Sequence, residues 1–165
     1  MIDLPEDELQ ILKVFNGHNV RYLITGGCAM QFWGMEDRIA EDIDIWIDTA
    51  EENATRVYAA LVEAGIRPKF QVDALSQPNK QIRPCRTYLD IVTSLIGVDF
   101  ESAYTNRATA IQDGQAIPII SPQDLLKVKT QASNDHKRTE KEMKDIEFLQ
   151  ELLGRSTVNE EERKQ

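Results

Sequence analysis

At 165 residues the chain suits one domain with room for a core that needs no staples. Its hydrophobic fraction of 41% and charged fraction of 28% are ordinary for a soluble globular protein, and no apolar run approaches the roughly 20 residues of a membrane-spanning helix. The formal net charge of -9 opposes a sequence-independent grip on nucleic acid, which depends on clustered Lys and Arg. The start, "MIDLPEDELQ", lacks the basic region and apolar stretch of a secretory signal, so the expected location is the cytoplasm. Cys28 and Cys85 form no CxxC and are read as reduced packing residues.

In chain order, Pro5 followed by acids opens a helix with Leu9, Leu12, Val14 and Phe15 on its apolar side, closing near Gly17. "RYLIT" at 21–25 reads as a short buried strand that runs into Gly26-Gly27, and "CAMQFWGM" then has helix-forming composition until Gly34. In "DIDIWID" at 42–48, period two sets three isoleucines against Asp42, Asp44, Trp46 and Asp48 on the other face of a strand. "AEENATRVYAALVEAG" follows as an amphipathic helix with Ala54, Val57, Tyr58, Leu61 and Val62 as its stripe and Gly65 at its end.

The stretch from Arg67 to Arg86 inverts the overall charge, with Arg67, Lys69, Lys80, Arg83 and Arg86 against Asp73; it reads as a solvated loop or a substrate-docking surface. It leads into "CRTYLDIVTSL", a third strand in which Asp90 shares a face with Tyr88 and Val92. "DFESAYTNRA" suggests a helical turn, and "TAIQDGQAIPII" a hairpin around Asp113-Gly114. Ser121 and Pro122 mark a helix start, and a last helix is expected from about Lys137 to Leu153, ending at Gly154. Residues 1–154 then make one domain, with 155–165 expected as a disordered tail that has almost nothing to bury.

Residues i and i+2 of a strand point the same way, so Asp42 and Asp44 can converge on a divalent cation. A third carboxylate from a neighbouring strand lets two ions clamp an in-line phosphoryl displacement, and Asp90 is the candidate. Gly26-Gly27 offers a side-chain-free turn whose N-H groups can approach a phosphate. Arg38 could touch phosphate or pair with Glu36, Asp37 or Glu41. Lys127 and Lys129 lie two apart and cannot share one helix face, so one of them at most reaches such a site. His18 and His136 fall near no readable triad, and Trp33, Trp46 and Tyr88 suit core or rim packing better than base stacking.

These residues carry a resemblance. "YLITGGCAMQFWGMEDRIAEDIDIWID" resembles the signature of the nucleotidyltransferase superfamily that includes DNA polymerase beta: Gly-Gly, a spacer, Asp-x-Asp, then a later Asp on another strand. More narrowly it is similar to small stand-alone bacterial members, including the nucleotidyltransferase toxins of toxin-antitoxin and abortive-infection systems. Gly26, Gly27, Ala29, Gly34, Arg38, Asp42, Ile43, Asp44 and Asp90 match at the motif; Lys129, Lys141, Asp145 and Ile146 match the relatives' closing helices. Cys28, Ala40 and Glu142 depart from the pattern.

The resemblance implies an α/β (α+β) nucleotidyltransferase fold, a short mixed sheet flanked by helices with a C-terminal helical segment. It implies transfer of a nucleoside monophosphate from a triphosphate to a hydroxyl of tRNA, protein or a small molecule, with two Mg2+ ions, or Mn2+, on Asp42, Asp44 and Asp90. It places Gly26, Gly27, Arg38 and Lys129 around the nucleotide, and it raises an antitoxin protein as a partner and no membrane. The reading from a different class is a non-catalytic protein of the same fold that binds nucleotide or a protein partner. A sugar transferase with Asp-x-Asp would need an acceptor domain for which 165 residues leave little room.

Overall fold

The computed structural model describes residues 2–84, 87–132 and 139–164. Among the described residues, six strands build one mixed sheet and six α-helices pack around it. The N-terminal helix α1 spans Glu6–Gly17, and its acidic first turn faces the positive end of the helix dipole. It delivers the chain to β1, Tyr22–Thr25, whose four residues are all buried. The short helix α2 follows at once over Gly26–Phe32. A loop then enters β2, Ile43–Ile47, and the amphipathic α3, Glu51–Glu63.

Four further strands and a short helix complete the sheet region. A 3-10 turn at Val72–Ser76 and the two-residue strand β3, Gln81–Ile82, lie within the segment of inverted charge and leave no periodic sequence trace. The third expected strand is β4, Leu89–Val92. The helix α4, Phe100–Thr105, is capped by the Asp99 side chain. The hairpin β5, Ala108–Gln112, and β6, Gln115–Ile119, turns through Asp113 and Gly114, both at positive φ as a two-residue turn of this kind requires.

The strand order is β3-β4-β2-β1-β6-β5. The inner pair β2 and β4 is parallel, and β1 runs antiparallel to β2. Ile45, Ile47, Leu89 and Ile91 are fully buried, each contributing roughly 1.5–3 kcal/mol of apolar burial. The opposite face of β2 is covered as well: Trp46 is buried and packs edge-on against Phe100. Both faces of β2 therefore carry buried residues, which fixes its register.

Two helices close the chain. The first, α5, spans Pro122–Ala132, with the Ser121 hydroxyl accepting from the Asp124 amide at its start. The last, α6, spans Glu140–Arg163 and opens with a capping box, in which Thr139 accepts from the Glu142 amide while Glu142 accepts from Thr139 N-H. Glu142, a departure from the relatives' pattern, thus finds a local use.

The helix does not stop at Gly154 as the sequence suggested. It continues through exposed residues to Arg163, with Arg155 pairing back to Glu151 and a run of glutamates, good helix formers, at 160–162, so 155–163 are helical. No helix among the described residues is long and apolar enough to cross a membrane.

Candidate active site

Register brings the motif together. On the sheet, Thr25 of β1 pairs with Asp44 of β2, and Asp44 pairs with Asp90 of β4. The glycine turn that leaves β1 and two acids therefore stand in one row across three strands. Gly26 adopts φ +65 directly beside Asp44, and a Cβ added there would overlap the Asp44 carboxylate oxygen. Only glycine allows both the left-handed backbone and that approach. Gly27 packs against Ala40, the departure two residues before Asp42, at a spacing a larger side chain would disturb.

Asp42 sits one residue before β2 and reaches the same place. One guanidinium joins it to Asp90: Arg83 Nη2 forms an ion pair with Asp42 Oδ2 at 2.8 Å, while Arg83 Nε and Nη2 donate to the two Asp90 oxygens at 2.8 and 3.0 Å. The Asp90 side chain is 7% exposed, that of Asp42 33% and that of Arg83 52%. Three carboxylates thus converge, with a cation drawn in from the mouth of the hollow.

Asp44 is held differently. Among the described residues no cation lies within ion-pair distance of it. Burial, and then the charges of Asp90 and Asp42, push its carboxyl up to about 6, against a weaker opposing pull from Lys129 and Arg83. A cavity of about 220 Å³ opens on this side, lined by Gly26, Asp44, Gln81, Leu95, Leu125 and Lys129.

A third charged group links α6 to the motif. Asp145, its side chain 1% exposed, accepts from Arg38 Nε at 3.0 Å and from Lys129 Nζ at 2.9 Å. Burial disfavours its charge, but the hydrogen bonds from Lys129 and Arg38 outweigh that and hold the carboxyl below its ordinary value. Arg38 therefore pairs with none of the local acids Glu36, Asp37 and Glu41 that the sequence offered. It donates instead to Asp145 and to the Ile39 carbonyl, beside Gly27. A larger open cleft of about 640 Å³ runs past Arg38, Glu41, Lys141 and Asp145.

The remaining candidates fall away from this centre. Lys127 is exposed and lies near Asp124. His18 meets Glu63 at the far end of α1, and Trp33 donates to the Ile120 carbonyl from a packed position. Cys28 is buried, and burial, then Asp44, raise its thiol to about 11 although Arg38 pulls the other way, which leaves it a packing residue at neutral pH. Cys85, Arg86 and His136 lie outside the described residues. Sequence reasoning missed Arg83 as a member of the site; the one available signal was the inverted charge of its segment.

The donor set suits a hard divalent cation: three carboxylates of limited exposure, two of them sharing a single positive charge and the third strongly perturbed by its fellows. As the side chains stand, no group of three acids, cysteines or histidines among the described residues is placed to hold a metal ion, and Arg83 pairs with both Asp42 and Asp90.

The sequence profile of aminoglycoside-2''-adenylyltransferases matches residues 8–149, a range that contains the glycine turn, the three acids and Asp145. The chain belongs to the aminoglycoside-2''-adenylyltransferase family. Membership makes it an enzyme of the nucleotidyltransferase superfamily.

Solved structures agree on the fold. The chain is similar to ANT(2'')-Ia in its crystal structure with adenylyl-2''-tobramycin (TM-score 0.64, 17% identity), over 93% of this chain and 92% of that one. The solution structure of the same antibiotic-resistance factor gives a TM-score of 0.64 at 15% identity, over 93% and 85%. The lincosamide antibiotic adenylyltransferase LnuA, lincomycin-bound, gives 0.57 at 20% identity, over 92% and 99%. No curated protein sequence matches.

Proposed function

We propose that this member of the family transfers a nucleoside monophosphate, with adenylate from ATP as the first donor to test, to a hydroxyl of a small-molecule acceptor and releases pyrophosphate. The observation that carries the reading is the row formed by Gly26, Asp44 and Asp90, with Asp42 tied to the same point through Arg83. Of the three acceptor classes the sequence leaves open, family membership favours the small molecule; an aminoglycoside is the first candidate, since the family is described by that substrate. A tRNA or protein acceptor and an antitoxin partner draw support only from the sequence resemblance. Residues 1–154 constitute the catalytic unit, and a triphosphate donor fits action in the cytoplasm.

Asp42 and Asp44 would hold two Mg2+ ions, or Mn2+, with Asp90 completing one site. When bound, the cations neutralise the charge that develops on the transferring and leaving phosphates. The chain's own groups do the rest. Amides of the Gly26-Gly27 turn approach the phosphates, because no side chain intervenes. Lys129, on the wall of the cavity beside Asp44, and Arg38, beside Gly27, add positive charge to the nucleotide's path, both held in place by Asp145. Asp90 accepts the acceptor's hydroxyl proton as its oxygen bonds to the α-phosphorus and the bond to the pyrophosphate oxygen breaks. Positioning and charge compensation supply most of the rate.

Asp44→Asn keeps the side chain's shape and removes its charge. It should retain the fold yet abolish label transfer from α-labelled ATP to an aminoglycoside panel; transfer at the wild-type rate would exclude this arrangement. The bridge of Arg83 across two acids gives the non-catalytic reading its one specific support, because it satisfies Asp42 and Asp90 without a metal. Triphosphate binding with no pyrophosphate release for any acceptor would favour that reading.

A further inference from the structure

Arg83 stands on the connection between β3 and β4, donates two hydrogen bonds to Asp90 and forms an ion pair with Asp42. One positive charge thus serves two acids, one of them nearly inaccessible to water. Two facing carboxylates repel each other, and the cation that lies against both offsets that repulsion. A dication supplies twice the charge and would outcompete the guanidinium. Its side chain is half exposed, so it can rotate outward without opening the core.

We propose that Arg83 is a nucleotide-binding residue that changes partners: it clasps Asp42 and Asp90 in the free protein, and passes to the donor's phosphates when a divalent cation takes the acids. The proposal rests on the reading of Asp42, Asp44 and Asp90 as the cation-binding trio. Once a dication neutralises the acids, the guanidinium is left without an anion at the mouth of the same hollow. The anion that arrives there with the cation is the triphosphate, cradled by the glycine turn. A guanidinium matches phosphate oxygens as well as it matches carboxylates, through the same paired N-H groups.

The exchange gives effects of opposite sign. Arg83→Gln in the full-length chain, with its fold checked by circular dichroism, should bind Mn2+ alone about fivefold tighter and Mn2+ with α,β-methylene-ATP about fivefold weaker, the order expected for one solvent-screened charge. Free Mn2+ read by electron paramagnetic resonance serves both titrations. Unchanged or weaker binding of Mn2+ alone overturns the proposal. So does tighter Mn2+ binding with undiminished affinity for the analogue, because the guanidinium then never reaches phosphate.

The wild-type protein offers a second measurement. Phenylglyoxal labelling of Arg83, mapped by mass spectrometry, should rise with Mn2+ alone and fall when the analogue is added; constant labelling overturns the exchange. If Asp42→Asn binds Mn2+ as the wild type does, the acidic trio is not a cation site, and it is the proposed function that fails.

Discussion

Replacing Asp44 by Asn should stabilise the metal-free protein while it removes activity. The carboxyl's pKa is displaced from 3.8 to about 6, first by burial and then by the charges of Asp90 and Asp42. At about 1.4 kcal/mol per unit, holding Asp44 ionised in the folded state costs about 3 kcal/mol at neutral pH. An acid whose folded pKa is raised binds its proton more tightly when folded. Its penalty is therefore absent below the unfolded value near 3.8, grows between 3.8 and about 6, and is complete above that. Asn carries no such charge. In excess chelator at pH 7.5 the variant should melt roughly 6–12 °C higher, the shift that about 3 kcal/mol gives in a chain of this size. At pH 4 the two proteins should melt together. Calorimetry at the two pH values decides the matter: a variant less stable than wild type at pH 7.5, or one with the same offset at pH 4, would refute the view that holding Asp44 ionised, buried and beside two acids, costs folding free energy.

Gly26→Ala places a methyl group on the Asp44 carboxylate and an L side chain in the left-handed region, so a loss of about 1–3 kcal/mol is expected by urea denaturation, along with loss of pyrophosphate release. Asp145→Asn removes the anion shared by Arg38 and Lys129 and should cost about 3–5 kcal/mol. Because the Asp145 carboxyl is held below its ordinary value, that loss should be full at neutral pH and shrink as the pH falls below about 4, which denaturation at a series of pH values will show. Lys127→Ala, at an exposed position near Asp124, should change stability by about 0.5 kcal/mol or less and leave transfer kinetics intact, whereas Lys129→Ala should raise KM for the triphosphate.

The elements that define the fold are those whose pattern is local. Alternation in "DIDIWID" and the glycine pair after "RYLIT" mark β1, α2 and β2, and Asp113-Gly114 marks the β5-β6 hairpin. β3 has two residues and gains its strand character only from pairing with Ile91 and Val92, so no period could reveal it. Gly154 misled because an exposed glycine costs only about 1 kcal/mol in a helix, and the charged residues around it sustain α6.

The same division holds at the site. Asp42, Asp44 and Asp90 are legible because strand period and residue type point one way. The partners of Arg38 and Arg83 are not legible, because they depend on contacts made 107 and 7 residues away that only the folded sheet and α6 supply.

The carboxylate that anchors Arg38 and Lys129 belongs to the final helix, so a growing chain presents all three acids of the hollow before it has the anion that steadies its two nearby cations. A fragment ending before Glu140 should fold its sheet yet leave those two side chains loose, and brief trypsin treatment should cut it first after Arg38 and Lys129, positions the whole protein shelters.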